Sequence, residues 1–399
     1  MPLPSETSLK NNQLEPLQKA IQSEGLDGWF FCNFRHRDKL ADEILDINPE
    51  ATNTRFWFYA VPAHGDPIKI IHSVEPDALQ TLPGSKIFYV SRENLKEALK
   101  SLAGRLWAVN SSEELASISY LDAGMAEVLK GAGLHLVSAA GLIQRLCGLM
   151  DREGVVSHER AAVQLYEIVK TAWDLVQKAY KEGIPLYEGD IRNLMIEEMK
   201  NRHLLVSDHR PIIAAGVNSG NPHYDFTGKG ALIKKGDVIQ FDLWTKEIHR
   251  GAIYADISWL GIFAEEIPEE TRKRFDAVVS AREGAISFIE RELATGKHPM
   301  GAAVDRIARE IISSRGYQEG LKHRTGHGID IEIHGSGVNI DSVEFPDSRT
   351  LLDGSCFSLE PGIYFNDYGM RTEIDVYIWD GKPVVSGAPF ERQYSILHC

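Results

Sequence analysis

The spacing of apolar residues divides the chain into two regions. Up to about residue 150, short apolar runs that predict strands alternate with segments of helical spacing. Over 14–25, for example, Leu14, Leu17 and Ile21 fall on one helical stripe. Strands that alternate with helices are typical of an α/β layer domain. The other predicted elements are strands 29–32, 56–61, 68–72, 87–90 and 106–109, and helices 92–102 and 116–129.

The second region has a different arrangement of elements. A long amphipathic helix with Ser157 at its N-terminus opens it, and strand patterns predominate from Pro211 onward. Strands with helices grouped between them favour an α+β domain. We therefore expect two domains, 1–155 with an α/β fold and 156–399 with an α+β fold, and the overall class α+β. The helices predicted in this region are 157–182, 188–203, 269–295 and 302–314.

Composition and charge exclude several classes of protein. The chain has 399 residues, with 43 Lys and Arg against 57 Asp and Glu, so its formal net charge is −14. This acidic balance argues against partners that are nucleic acids or anionic membrane surfaces. No run approaches the roughly 20 apolar residues that span a bilayer, and residues 1–5 have no signal-peptide character. The four cysteines are scattered, so we expect a cytoplasmic protein without a disulfide framework.

Two carboxylates in the second region interrupt otherwise apolar strands. Asp242 lies in Val-Ile-Gln-Phe-Asp-Leu, and Asp256 lies in a similar run after the polar stretch 246–250. Two strands joined by such a turn predict a β-hairpin that brings both carboxylates close together. A single strand carboxylate is usually a solvated outer-face residue, so this pair matters only if other polar residues join it.

Three further residues continue the pattern. Glu360 ends the apolar run Cys-Phe-Ser-Leu, and Glu373 lies in a strand two residues after Arg371, so that period 2 puts this glutamate and arginine on one face. His327 stands between two glycines in Gly-His-Gly. Four carboxylates and a histidine recurring in one domain are difficult to explain as surface residues.

Four carboxylates brought together require cations. Two like charges about 4 Å apart repel by roughly 4 kcal/mol at an effective dielectric constant near 20. Two divalent ions would supply four positive charges against four negative ones, with a neutral imidazole as a further ligand. Oxygen-rich coordination with one nitrogen and no thiolate favours Mn²⁺, with Co²⁺, Fe²⁺ and Zn²⁺ as alternatives. The residues therefore predict a two-metal site.

The order Asp, Asp, His, Glu, Glu, with Gly-His-Gly, Leu-Glu-Pro-Gly and Arg-Thr-Glu around it, resembles the pita-bread metallopeptidases. This family includes methionine aminopeptidase, aminopeptidase P and prolidase, and its two-domain members place a creatinase-like domain before the pita-bread domain. The resemblance implies that Asp242 binds one metal and that His327 and Glu360 bind the other. Asp256 and Glu373 would bridge both metals.

The resemblance extends to residues that would act on the substrate. His223 matches a histidine that contacts the substrate near the scissile bond, and His334 matches one that stabilises the tetrahedral intermediate. Glu360 would be the general base and acid. Arg371 matches an arginine of the prolidase and aminopeptidase P branch, where it would either pair with a ligand carboxylate or lie near the substrate carboxylate or carbonyl.

The chain also departs from the family pattern near these residues. Trp244 stands where a small residue is common, Asp330 replaces a usual glycine, and Gly335 replaces the acidic residue that usually follows the second histidine. A long polar insertion covers 339–352. Five other histidines match no ligand position, and we interpret them as surface or loop residues: His203, His209, His249, His298 and His323.

The function that the resemblance implies is hydrolysis of an Xaa-Pro bond at a free N-terminus by metal-activated hydroxide. The substrate would be a peptide or dipeptide with proline at its second position, and the protein would be a homo-oligomer, a dimer as in many relatives. The alternatives are a creatinase-like C–N hydrolase and a non-catalytic pita-bread binding protein. Both of those branches tend to lose the metal ligands, which this chain retains.

Overall fold

Two compact units make up the part of the chain that the computed structural model describes, residues 14–387 and 392–399. The first unit ends at Cys147 and the second begins with the next residue. Residues 148–155, which the sequence analysis assigns to the first domain, therefore belong to the second unit. Residues 1–13 of that predicted domain lie outside the described residues. Within the described ranges, every helix is too short or too polar to cross a bilayer.

A six-stranded sheet with helices on both faces forms the first unit. The strand order is β4-β3-β2-β1-β5-β6; β2 runs antiparallel to β1 and β3, and the other neighbours are parallel. The strands are β1 (Gly28–Asn33), β2 (Trp57–Pro62), β3 (Ile68–His72), β4 (Ser85–Tyr89), β5 (Leu106–Val109) and β6 (His135–Ser138). The helices are α1 (Leu14–Ser23), α2 (Lys39–Ile44), α3 (Arg92–Lys100), α4 (Ala123–Gly131) and α5 (Ala140–Cys147).

The central strands of this sheet are continuously apolar because both of their faces are buried. In β1, Trp29 and Phe31 pack with α1, α2 and α5, whereas Phe30 points to the opposite face and packs with α3 and α4. Strands covered on both faces lose the alternation of apolar and polar residues that a half-exposed strand shows. The α/β layer architecture predicted for this region is therefore confirmed by its sheet and helices.

The helix predicted over 116–129 is wrong in its first part. Residues Ala116–Ile118 form only a 3₁₀ turn, and the α-helix begins after Asp122, whose side chain accepts a 2.9 Å hydrogen bond from the N–H of Met125. An aspartate at this position stabilises a helix start because it satisfies a donor that has no partner within the helix. The apolar spacing continues across this start, which is why periodicity alone joins the two segments.

Over its described residues, the second unit contains three sheets and four long helices. Its strand orders are β15-β9-β8-β7, β10-β13-β14 and β11-β12. The helices are α6 (Arg152–Glu182), α7 (Glu188–Asn201), α8 (Glu269–Ala294) and α9 (Gly301–Ser314). The strands are β7 (Ile212–Ala215), β8 (Val238–Thr245), β9 (Ala255–Ile262), β10 (Cys356–Leu359), β11 (Gly362–Tyr364), β12 (Gly369–Arg371), β13 (Ile374–Trp379), β14 (Lys382–Val385) and β15 (Leu397–His398).

Helix α6 begins earlier than its predicted start at Ser157. Asp151 caps it, with its Oδ1 accepting a 2.8 Å hydrogen bond from the N–H of Gly154, and Gly183 ends it with φ 68°. Ser157 is instead buried within the helix, where its hydroxyl accepts a hydrogen bond from the N–H of Ile253. Aspartate and serine are comparable N-caps, so sequence preference alone does not choose between the two starts.

The two faces of the β8–β9 hairpin have different surroundings. Ile239, Phe241 and Leu243 of β8 pack on α6 and α7, in the largest apolar cluster of this unit. Because side chains alternate along a strand, Asp242 of β8 and Asp256 of β9 point away from these helices. Helices α6 and α7 therefore cover one face of the hairpin. The opposite face, which carries the two carboxylates, is available to other segments of this unit.

Candidate metal centre

The predicted hairpin is present and places the two aspartates diagonally. Asp242 is directly opposite Ser258, and Trp244 is directly opposite Asp256, so the two aspartates are offset by two residues on the same face. Diagonal neighbours on one face of a sheet remain within reach of each other's side chains. The hairpin thus supplies two carboxylates and a serine hydroxyl to a single surface.

Backbone pairing brings the remaining candidate residues to this surface. Glu373 lies between β12 and β13, where its backbone exchanges two hydrogen bonds with Ser258 and its Oε2 accepts a 2.7 Å bond from the Ser258 hydroxyl. The N–H of Glu360 donates to the carbonyl of Thr325 at 2.7 Å. His327 accepts a hydrogen bond from the N–H of Ser358 at its carbonyl. Each of these side chains is therefore placed by ordered backbone.

All five predicted ligand residues converge. His327 Nε2 is 3.6 Å from Asp256 Oδ2 and 3.6 Å from Glu360 Oε1. Ligand atoms of Asp256, His327 and Glu373 all lie within 4.8 Å of one another. Arg371 connects Asp242 to this group, because it forms an ion pair with Asp242 and its Nε is 3.8 Å from Glu360 Oε2. Four of the five are buried, and Glu360 is partly buried.

The carboxylates in this cluster destabilise one another's ionised forms. Burial raises the pKa of Asp256 well above its usual value, and the negative charges of Asp242 and Glu360 raise it further. Burial and Asp256 act in the same way on the pKa of Glu373. Burial also raises the pKa of Asp242, although Arg371 opposes the shift. Such a group of buried carboxylates favours the binding of cations.

Glu360 differs from the other carboxylates. Burial alone would raise its pKa, but His323, His327 and Arg371 together outweigh burial and lower it. Glu360 is therefore ionised near neutral pH. Neighbouring groups whose pKa values are pushed apart are typical of sites that transfer protons.

The donor set fits divalent cations. Asp256 Oδ1 is buried and has no hydrogen-bond partner among the residues that the structure describes. The Nδ1 of His327 lies 3.3 Å from the carbonyl oxygen of Gly328, so Nδ1 carries the proton and Nε2 is free to face the carboxylates. Carboxylate oxygens with one imidazole nitrogen suit Mn²⁺ and similar ions.

Arg371 is buried and bonded to protein groups on several sides. Its Nε donates to the Ser258 hydroxyl at 3.0 Å, its Nη1 donates to Tyr364 Oη at 3.1 Å, and its Nη2 pairs with Asp242. Its Nη1 is also 3.4 Å from the carbonyl of Pro222, next to His223. These contacts support the pairing role, and contact of Arg371 with substrate stays a prediction.

The two histidines proposed to act on substrate lie on loops. His334 packs edge-on against His327, with ring centroids 4.4 Å apart and an interplanar angle of 90°. Partial burial, together with the neighbouring His327 ring and the Arg324 guanidinium, lowers the pKa of His334 to about 4, while part of the His334 side chain stays exposed. His223 is exposed, and its N–H donates to Asn221 Oδ1 at 3.2 Å.

Sequence reasoning misses three residues of this site. His323, interpreted above as a surface or loop residue, is instead part of the site, since its Nε2 is 2.8 Å from Tyr364 Oη. Tyr364 in turn accepts the hydrogen bond from Arg371, and Ser258 bonds both Arg371 and Glu373. No local pattern singles these residues out, because His323 lies in an irregular loop, and Ser258 and Tyr364 lie in ordinary strands.

Glu188 anchors the loop that carries His223. This glutamate is fully buried at the start of α7. Its Oε1 accepts hydrogen bonds from Ala215 N and Asn218 Nδ2, both at 2.9 Å. Its Oε2 accepts from Tyr224 Oη at 3.0 Å and Ala231 N at 2.7 Å. One carboxylate thus ties together both ends of the loop.

We expect Glu188→Gln to lower the free energy of unfolding by about 2–4 kcal/mol, because an amide leaves buried donors facing another donor. Urea unfolding of both proteins measures the difference. Glu197→Gln is the matched control, since Glu197 is exposed on the same helix, and it should change the free energy little. Equal losses in the two variants would show that Glu188 is not an anchor.

The family model of metallopeptidase family M24 matches residues 166–380. This match covers more than half of the chain and contains all five converging residues. The chain belongs to metallopeptidase family M24. The predicted membership of the pita-bread metallopeptidases is thereby confirmed.

Among curated relatives of this M24 chain is the Xaa-Pro dipeptidase of Lactobacillus delbrueckii subsp. lactis. It is 31% identical over 163 residues, which are 41% of this chain. The matched segment spans 40% of the length of that dipeptidase. The sequence similarity is therefore concentrated in part of each protein.

Solved structures confirm the predicted pita-bread α+β fold. The dipeptidase PepE of Mycobacterium ulcerans gives a TM-score of 0.68 at 18% identity, with 99% of each chain covered. The N-terminal domain of the FACT complex subunit SPT16 from chickpea gives 0.63 at 12% identity, with 95% of this chain and 96% of that one covered. Proteins with different descriptions share this fold, so function must be argued from the residues of the site.

Proposed function

We propose that this M24 chain is a peptidase that uses two divalent ions to hydrolyse the bond between an N-terminal residue and a following proline. The convergence of all five predicted ligand residues in one cluster carries the proposal. In this proposal, Asp242 would hold one ion, His327 and Glu360 would hold the other, and Asp256 and Glu373 would contribute to holding both. We expect Mn²⁺, with Co²⁺, Fe²⁺ and Zn²⁺ as alternatives.

The residues around the cluster have the protonation states that hydrolysis needs. When bound, the two ions would lower the pKa of a water molecule towards neutrality and make hydroxide available. Glu360 accepts the proton, since its lowered pKa keeps it ionised. His334, with a pKa of about 4, is neutral near pH 7, and its N–H donates to the developing oxyanion. Arg371 holds Asp242 in place and lies beside the loop of His223.

The substrate assignment rests on the chemistry of proline. A peptide bond to proline has no N–H, and the ring fixes the backbone dihedral φ, so peptidases that grip an extended strand through that N–H cannot use it. A site that holds the free amine beside Asp242 and contacts the proline ring with His223 and His334 does not need that proton. The Xaa-Pro dipeptidase described above supports the same assignment.

Release of free proline tests this proposal. Protein loaded with Mn²⁺ should hydrolyse Met-Pro and Ala-Pro and leave Met-Ala and Ala-Ala nearly intact, and chelation should abolish the activity. Ala-Pro-Ala, assayed alongside, distinguishes an aminopeptidase from a strict dipeptidase. Hydrolysis of Ala-Ala as fast as Ala-Pro would overturn the proline assignment. Failure to cleave any of these peptides, with metal bound, would favour a binding protein or a different C–N hydrolase.

A further inference from the structure

Asp330 and Gly335 lie on either side of His334 in the sequence and touch each other. A Cβ at Gly335 would be 2.4 Å from Cγ of Asp330 and 2.5–2.6 Å from its carboxylate oxygens. The backbone of Gly335 is not in the left-handed region, so conformation does not demand glycine there. The carboxylate of Asp330 therefore occupies the space that any larger residue at 335 would need.

The same carboxylate ties down the backbone around His334. Asp330 is 4% exposed. Its Oδ1 accepts a 2.7 Å hydrogen bond from the N–H of Glu332, and its Oδ2 accepts a 2.6 Å bond from the N–H of Ser336. These two amides belong to the residues two before and two after His334. One side chain thus closes the loop on both sides of the histidine.

Neighbouring groups hold the base of this loop. The N–H of Tyr254 donates to the carbonyl of Asp330 at 3.0 Å. Lys246, in the turn of the β8–β9 hairpin, bonds the carbonyl of Ile331. Arg349 donates to the carbonyls of Ser336 and Gly337 at 2.7 and 2.6 Å. The loop is therefore anchored at both ends, and the Asp330 carboxylate fixes its middle.

The ring of His334 depends on this backbone for its place. Within the described part of the chain, the His334 ring packs edge-on against His327 and makes no hydrogen bond to another side chain. Its position over the metal centre is therefore set by the loop. A displacement of about 1 Å of a group that acts in the transition state can cost about 100-fold in rate.

We propose that Asp330 is a positioning residue that fixes His334 over the metal centre, and that Gly335 is the space its carboxylate requires. This inference rests on the proposed function, because it assigns His334 a part in catalysis. Asp330 and Gly335 then form one coupled pair, because the carboxylate that bonds the loop backbone fills the space beside the glycine.

A double-mutant cycle tests the coupling. We expect Asp330→Ala and Gly335→Ala each to lower kcat for Ala-Pro by roughly 10- to 100-fold with KM nearly unchanged, since the oxyanion contact acts in the transition state. The kcat of the double variant should be no lower than that of Asp330→Ala, because the methyl group added at position 335 then occupies the space that the Asp330 carboxylate has left. Losses that multiply, or an unchanged kcat in Asp330→Ala, would overturn the proposal.

The Asp330→Asn variant separates volume from charge. It keeps the volume of the side chain but turns an amide donor towards one of the two backbone donors. Gly335→Ala should therefore still lower kcat further in the Asp330→Asn background, unlike in the Asp330→Ala background. If the alanine at 335 were harmless in the asparagine background too, steric contact between the two residues would be refuted.

A measurement on metal-free protein keeps this test independent of activity. The ¹⁵N resonances of the His334 imidazole, identified by their loss in His334→Asn, should broaden and shift in Asp330→Ala and in Gly335→Ala. Glu332→Ala is the matched control, because the Glu332 side chain is exposed and only its backbone N–H and carbonyl bond Asp330. Unchanged resonances in Asp330→Ala would refute the positioning role. If wild-type protein cleaved no Xaa-Pro peptide, the proposed function would be wrong. The ¹⁵N spectra of the metal-free variants would then decide by themselves whether Asp330 positions His334.

Discussion

Asp256→Asn is expected to abolish the binding of divalent ions while stabilising the metal-free protein. Asp256 is central to the cluster, since its carboxylate faces His327 and its other oxygen is buried without a partner in the described part of the chain. An asparagine keeps the volume of the side chain but removes one of four neighbouring carboxyl groups, whose ionised forms destabilise one another. The same substitution should therefore have opposite effects on the two forms of the protein.

The stabilisation of the metal-free form should depend on pH. The pKa of Asp256 is raised in the folded protein, so its ionisation costs stability as pH rises above the unfolded value of about 4. Asp256→Asn should unfold like wild type near pH 4 and be more stable by roughly 1–4 kcal/mol at neutral pH.

Calorimetry and thermal unfolding check both halves of this expectation. Wild type should gain about 2.7 kcal/mol when free Mn²⁺ reaches 100 times its Kd, and the variant should gain nothing at the same concentration. Asp174→Asn, an exposed position on α6, is the matched control and should bind metal normally. Two ions per chain in Asp256→Asn would contradict a bridging role for this aspartate.

Glu360→Gln should reduce kcat by about 10²–10⁴-fold and leave the fold intact. Glutamine keeps an oxygen that can face a metal ion but cannot accept the proton that the ionised glutamate accepts. Because the backbone of Glu360 is held by Thr325 and its side chain is partly exposed, we expect little change in the unfolding curve.

Steady-state kinetics with metal content measured on the same sample separates the two roles of this residue. Loss of activity with both ions retained would identify Glu360 as the general base. Loss of activity accompanied by loss of one ion would show that its main role is to bind metal. Glu310→Gln, exposed on α9, should behave as wild type. Near-normal turnover in Glu360→Gln with metal bound would rule out Glu360 as the base.

The candidate ligands could be predicted from the sequence because they are charged residues within segments that are otherwise apolar. Asp242 and Asp256 carry charge inside strands whose other residues are apolar, and burial of an unpaired charge is too costly to occur without a reason. Ser258 and Tyr364 give no such signal, because a serine or tyrosine in a strand is ordinary. Their roles come from hydrogen bonds between segments that are distant in sequence, which no local pattern records.

The contact between Asp330 and Gly335 was invisible for a different reason. Both residues lie in an irregular loop, where neither helical nor strand periodicity predicts which side chains meet. The start of α6 shows a similar limit, since Asp151 and Ser157 are both acceptable caps, and Ser157 is instead buried in the helix with a hydrogen bond from the N–H of Ile253. Regular elements follow from local pattern, whereas loops and helix ends depend on tertiary contacts.

The pairing of Ser258 with Glu373 also constrains the order in which parts of the second unit can fold. These residues are 115 positions apart, and their hydrogen bonds join the β8–β9 hairpin to the segment that precedes β13. Contacts of such long range form late, because a large loop must close before they contribute any stability. During synthesis, the hairpin therefore emerges long before its partner, and the complete set of candidate metal ligands exists only once residue 373 has left the ribosome. We therefore expect metal to bind the proposed site after these long-range contacts have formed.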